Sequence, residues 1–135
     1  MRMLPIAVVG LTLAACSPPA PLGPQPLNTT LGPALNADQI RAEMVGNTGS
    51  GTRTGTTSIW NMYVAPDGTL IGKSALLADT GTWRISDDGK FCATWKVDFH
   101  GQEICQSVHR GGTNGLVLAS TDSIEDMVFT PGNKL

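Results

Sequence analysis

The chain has 135 residues, nine Lys and Arg against eleven Asp and Glu, and a net charge of −2. Charge this sparse and slightly acidic excludes a surface built for nucleic acid or for anionic lipid headgroups. Sixteen glycines, many threonines and few strong helix formers favour short strands and turns over helices.

The first sixteen residues differ from the rest. Arg2 supplies a positive start, and residues 4–13 form an apolar run broken only by Pro5, Gly10 and Thr12. At about ten residues this run is too short to span a bilayer core, which needs roughly 20. It has the pattern of a secretory signal. Its end, Leu13-Ala14-Ala15-Cys16, resembles the lipobox of bacterial lipoproteins. That resemblance implies cleavage before Cys16 and acylation of its thiol. Ser17 follows where an aspartate would favour inner-membrane retention, so the expected location is the periplasmic side of the outer membrane rather than the inner. Residues 17–33 hold six of the nine prolines and no charge or aromatic ring. Such a segment stays extended and buries no core; at about 3.1 Å per residue it reaches roughly 50 Å. The expected organisation is a signal peptide over 1–15, a lipidated Pro-rich tether over 16–34, and one monomeric domain over 35–135. About a hundred residues suffice for a single core.

Within the domain, Asn36 and Gln39 predict a capping box, with Ile40 and Met44 one turn apart on a single helical face. Gly46 and Asn47 stop this short helix, which is expected to rest on a sheet as a plug or lid. The glycines at 46, 49, 51 and 55 make no phosphate loop, because no lysine follows; they read as a flexible or bulged edge strand. Strand-length runs follow over 58–64, 69–77, 82–86, 90–97, 103–110, 116–120 and 124–130. Turn signals separate them, including Pro66-Asp67-Gly68, Asp79-Thr80-Gly81, Asp87-Asp88-Gly89 and His100-Gly101. Phe91, Ala93, Trp95, Val97 and Phe99 alternate with Cys92, Thr94, Lys96 and Asp98, a period of two that no helix produces. The fold class is therefore mainly β: an antiparallel up-and-down meander of about seven or eight strands closing into a small barrel, with one short N-terminal helix. A small sandwich is the alternative.

With Cys16 taken by lipid, Cys92 and Cys105 remain as an even pair in an oxidising compartment. A two-residue turn at His100-Gly101 would pair Cys92 with His109 and hold the thiols roughly 13 Å apart, too far to bond. Pairing Cys92 directly with Cys105 leaves 96–101 as a wider loop. Either register keeps Phe91, Ala93, Ile104 and Val108 on one face, and the compartment favours the disulfide. A zinc site from both cysteines with His100 and His109 lacks the short ligand spacings such sites show. No metal or cofactor is expected.

Catalytic residues are not evident. His109 is a candidate general base but reads as a surface imidazole, and His100 as solvated. No nucleophile-elbow sequence appears. Asp122, Glu125 and Asp126 could hold a cation, but they read as the solvated start of a strand. Trp60, Trp83 and Trp95 are candidate ligand-lining residues; a barrel of this size is just wide enough to be filled by side chains, and filling is the favoured reading.

Gly81-Thr82-Trp83 resembles the Gly-x-Trp signature of lipocalin-like (calycin) barrels, although there it marks the first strand. The segments YVAPDG at 63–68 and GTWRISDDGKFCATW at 81–95, with Gly72 and Cys105, resemble a family of small exported bacterial proteins with a lipocalin-like fold. The resemblance implies a barrel and a Cys92–Cys105 bridge, and supplies no catalytic residue. Paired cysteines and the Gly-Thr-Trp segment also resemble periplasmic protease-inhibitor barrels, without a matching N-terminal arm. The expected function is a non-enzymatic binding module for a small apolar ligand or an envelope component. The alternative is an inhibitor of a secreted hydrolase, a protease or lysozyme, acting through the 96–101 loop.

Overall fold

The computed structural model describes residues 31–53, 55–111 and 115–135. Cys16, the signal segment and most of the tether lie outside them. Helix α1, Ala37–Met44, carries the predicted capping box in full: the Asn36 side chain accepts from the Gln39 amide and the Gln39 side chain accepts from the Asn36 amide. Ile40 and Met44, one turn apart, are wholly buried.

Eight strands follow: β1 Asn47–Arg53, β2 Ile59–Val64, β3 Thr69–Lys73, β4 Ala78–Ile85, β5 Phe91–Trp95, β6 Glu103–Gly111, β7 Gly115–Ala119 and β8 Ile124–Pro131. Each pairs antiparallel with the next, and β8 returns to β1, closing a barrel. This up-and-down closure is consistent with a lipocalin-like fold. Closure leaves no free edge among these strands, which is how such sheets avoid pairing with other chains.

The glycine-rich segment is therefore not an edge. β1 pairs with β2 on one side and β8 on the other. Its small residues are needed for packing: a Cβ on Gly49 would come 2.6 Å from the Phe129 ring. The expected turn at Asp79-Thr80-Gly81 is also displaced. The Ser74 side-chain oxygen accepts from the Leu76 and Leu77 amides, making the turn at 74–77 instead, so Asp79 to Gly81 lie inside β4.

Inward residues from all sides form one core. Phe91, Ala93 and Trp95 of β5 join Val108, Leu118, Met127, Met62 and Leu70, and Ile40 and Met44 of α1 belong to the same cluster. The helix thus plugs the end where β1 begins. It is fixed there by Arg110 donating to Glu43 at 2.6 Å and by the Gly46 amide donating to Val64 at 2.7 Å. Inside the barrel, Trp60 and Trp95 meet edge to face at 5.4 Å. They occupy the space above Gly72, where a Cβ would collide with the Trp60 ring and stand 2.9 Å from Trp95. The gap that remains between these rings, Met62, Phe91 and Leu118 is about 10 Å³, room for no more than one water. The interior is filled.

Candidate functional site at the barrel mouth

The end opposite α1 is open. Its rim is formed by the β1–β2, β3–β4, β5–β6 and β7–β8 connections. A cleft of about 180 Å³ opens there, lined by Trp60, Leu77 and Met127 on its apolar side and by Arg53, Asp98 and Glu125 on its charged side. Two of the three charged residues, Glu125 and Arg53, arrive by strand alternation. In β8, Glu125 falls on the same face as the buried Met127. In β1, Arg53 falls on the same face as Gly49 and Gly51.

Arg53 is the hub. Its Nη2 donates to Asp98 Oδ2 at 3.0 Å and its Nε donates to Glu125 Oε1 at 3.2 Å, while the guanidinium lies 4.4 Å over the Phe99 ring. The Glu125 side chain is 12% exposed and that of Asp98 24%. Burial pushes the Glu125 carboxyl above its ordinary value, against the pull of Arg53 toward the charged form.

The β5–β6 loop delivers Asp98 and Phe99. The predicted alternation through Phe99 stops as strand at Trp95, because a buried carboxylate on β4 captures the next amides. Asp79 accepts from Val97 and Asp98 backbone N–H at 3.0 and 2.9 Å, and from Thr80 at 2.8 Å. Burial pushes the Asp79 carboxyl up, but these amides outweigh it and hold it below the ordinary aspartate value. Beyond this anchor Phe99 and His100 both adopt left-handed backbone (φ 52° and 56°), which costs a non-glycine residue roughly 1–2 kcal/mol. The loop is held in a strained form by contacts at both sides.

The disulfide is present between directly paired residues. Cys92 and Cys105 are opposite partners in the β5–β6 ladder, with Cα atoms 4.0 Å apart. The wide-loop register follows, and Ala93 pairs with Ile104 on the inner face. Arg84 makes a two-point ion pair with Glu103 on the same outer surface, at 2.6 and 2.8 Å. Cys92, Glu103 and Cys105 bring ligand atoms within 4.8 Å of one another, but both sulfurs are spent in the bridge. That also removes them from any zinc set with the histidines.

The remaining sequence candidates are dispersed. Trp60 lines both the mouth and the inner gap. Trp95 is buried under it. Trp83 sits toward the plugged end, stacked on Phe91 at 6.0 Å with its indole N–H donating to the Ala65 carbonyl at 2.8 Å. His109 Nδ1 donates to the Gly32 carbonyl at 2.7 Å, and its Nε2 lies 2.9 Å from the Ser107 hydroxyl; among the described residues no carboxylate orients it. His100 is exposed. The acidic cluster is split: Asp122 and Asp126 are exposed, while Glu125 turns inward to Arg53. Sequence reasoning singled out neither Arg53, Asp98 nor Asp79. The alternation Gly49, Gly51, Arg53 was the signal for the first.

No family model, curated protein or solved structure matches the chain.

Proposed function

We propose that this protein is a cell-envelope lipoprotein of the small exported family its sequence resembles, and that its barrel is a non-enzymatic binding module working through its mouth. The observation that carries the binding reading is the cleft itself: a partly exposed indole, Trp60, faces a charged trio across a space of about 180 Å³. The filled interior argues against a cargo held deep in the barrel, so the site is the rim. A cleft of this size takes a small ligand with one apolar face and one polar face. Most binding pockets combine an apolar wall with a few placed polar groups in this way.

The anchoring reading rests on the lipobox at Cys16. In the described part, Ala34 bridges to His109 near the plugged end. Ala34, in the last part of the tether, thus lies toward the end opposite the mouth. Replacing Cys16→Ser should move the protein from the membrane fraction to the soluble periplasm; retention in the membrane would remove the lipoprotein reading.

The binding reading is tested by native mass spectrometry of the protein released from its own envelope without reductant. A small-molecule adduct that disappears in a folded Trp60→Ala variant is the expected result. A bare mass overturns it, and a stoichiometric co-purifying hydrolase would replace it with the inhibitor alternative. The turn of Asp98 and Phe99 back onto Arg53, rather than outward, favours the ligand over the inhibitor.

A further inference from the structure

We propose that the mouth contains a site for arylalkanoates, molecules with a carboxylate a few bonds from an aromatic ring, and that Asp98 and Phe99 occupy this site as a built-in stand-in. This deepens the binding reading above and rests on it. Two consecutive loop residues engage one guanidinium in complementary ways: the Asp98 carboxylate takes its edge at 3.0 Å and the Phe99 ring covers its face at 4.4 Å. A carboxylate on the edge and an aromatic ring on the face are the two contacts for which a guanidinium is best suited.

The surrounding space fits the exchange. Phe99 stands between the small inner gap, walled by Trp60, Trp95 and Leu118, and an outer groove of about 310 Å³ beside Ile104 and Ser123. Arg53 lines both of these and the mouth cleft. Withdrawing Asp98 and Phe99 therefore joins three spaces into one, with a cation at its centre and an apolar wall. Contact geometry supports the choice of an anion. Arg53 already holds two carboxylates, Asp98 and Glu125, so a ligand carboxylate taking the place of Asp98 leaves the charge around the guanidinium unchanged. The other carboxylate facing the outer groove from β6, Glu103, is already paired with Arg84.

Backbone conformation points the same way. Phe99 is placed through a left-handed backbone that glycine would adopt freely, so the ring is held where it is against local preference. The loop's root stays fixed by Asp79 when its tip moves, because the Asp79 contacts fall on the Val97 and Asp98 amides rather than on Phe99 or His100.

The test is calorimetric titration of the full chain with 3-phenylpropionate, and with 3-phenylpropan-1-ol as the uncharged counterpart. An Asp98→Asn/Phe99→Gly double variant, in which glycine suits the existing backbone, should bind the acid at least tenfold more tightly than the unmodified protein. It should also prefer acid to alcohol by at least tenfold, and Arg53→Met should abolish that preference. Equal affinities of the double variant and the unmodified protein overturn the proposal, as does equal binding of acid and alcohol. Should Arg53→Met fail to fold, the acid–alcohol comparison still decides whether the cation is used. If no gain appears while the envelope protein carries a different cargo, the stand-in falls and the mouth reading survives. If the gain appears but the envelope protein carries nothing, the site stands and the mouth's natural role as a cargo binder falls.

Discussion

Arg53→Met keeps the length of the side chain and removes its charge and donors. It breaks two ion pairs, at 3.0 and 3.2 Å, and one cation–ring contact at 4.4 Å. Exposed ion pairs contribute about 0–1 kcal/mol, whereas removing one partner of a buried pair costs about 3–5 kcal/mol. Side-chain exposures of 12% for Glu125, 24% for Asp98 and 33% for Arg53 lie between these limits. A loss of about 2 kcal/mol at pH 7 is the expected result, or roughly 8–16 °C in Tm for a domain of this size. The pH dependence gives the sharper check. Glu125 is already raised above the ordinary 4.5 by burial, and losing Arg53 raises it further. A carboxyl raised in the folded state carries its full stability below its unfolded value and loses it as pH rises through the folded value. The variant's deficit should therefore be smaller at pH 4 than at pH 7. Adding Glu125→Gln should recover about 1 kcal/mol at pH 7, since it removes a buried charge left without its cationic partner. Thermal melts of the three proteins at the two pH values provide the assay. An equal deficit at both pH values, or no recovery with Glu125→Gln, would refute the reasoning.

Removing the disulfide with Cys92→Ala/Cys105→Ala frees a cross-link over a sequence separation of 13 and should cost about 3 kcal/mol. That lowers Tm by roughly 10–25 °C, and a fall of only a few degrees would count against it. Asp79→Ala should leave Val97 and Asp98 amides unpartnered and cost about 1–3 kcal/mol. Hydrogen exchange should speed up at 97–101 while β2 and β7 stay protected. Because the Asp79 carboxyl is depressed in the folded protein, its contribution is present above the ordinary value of 3.8 and fades as pH falls through its lower folded value. Acid melts should show the difference between Asp79→Ala and the unmodified protein shrinking below about pH 4.

Local rules carried far in this chain where one interaction decided the outcome. Asn36 and Gln39 specify the helix start without help from the barrel. Phe91 and Ala93 on one strand and Ile104 and Val108 on the next specify a shared face, and two cysteines then select the register. Where a distant residue competes, the pattern misleads. The alternation through Val97 and Phe99 is real in sequence, but Asp79, eighteen residues before Val97, takes the amides a longer ladder would need. Asp79-Thr80-Gly81 has turn chemistry, yet Ser74 makes the turn first and leaves Asp79 free to do this. The glycines of β1 weaken a strand in isolation; here Gly49 gives room to the Phe129 ring and Gly51 to the backbone at Asp126, contacts closed only when the last strand meets the first. The site suffered most. Glu125 reads as one of three solvated acids, and only closure of β8 against β1 brings it to Arg53.

Binding through the mouth is the central claim, and backbone amide mapping of the protein before and after removal of any co-purifying small molecule tests it most directly. Protection or shift changes at Gly51, Trp60, Asp98, Glu125 and Met127, with the α1 end unchanged, are what the structure leads us to expect. Changes confined to the outer surface of β1 and β8, or to α1 and its neighbours, would contradict it.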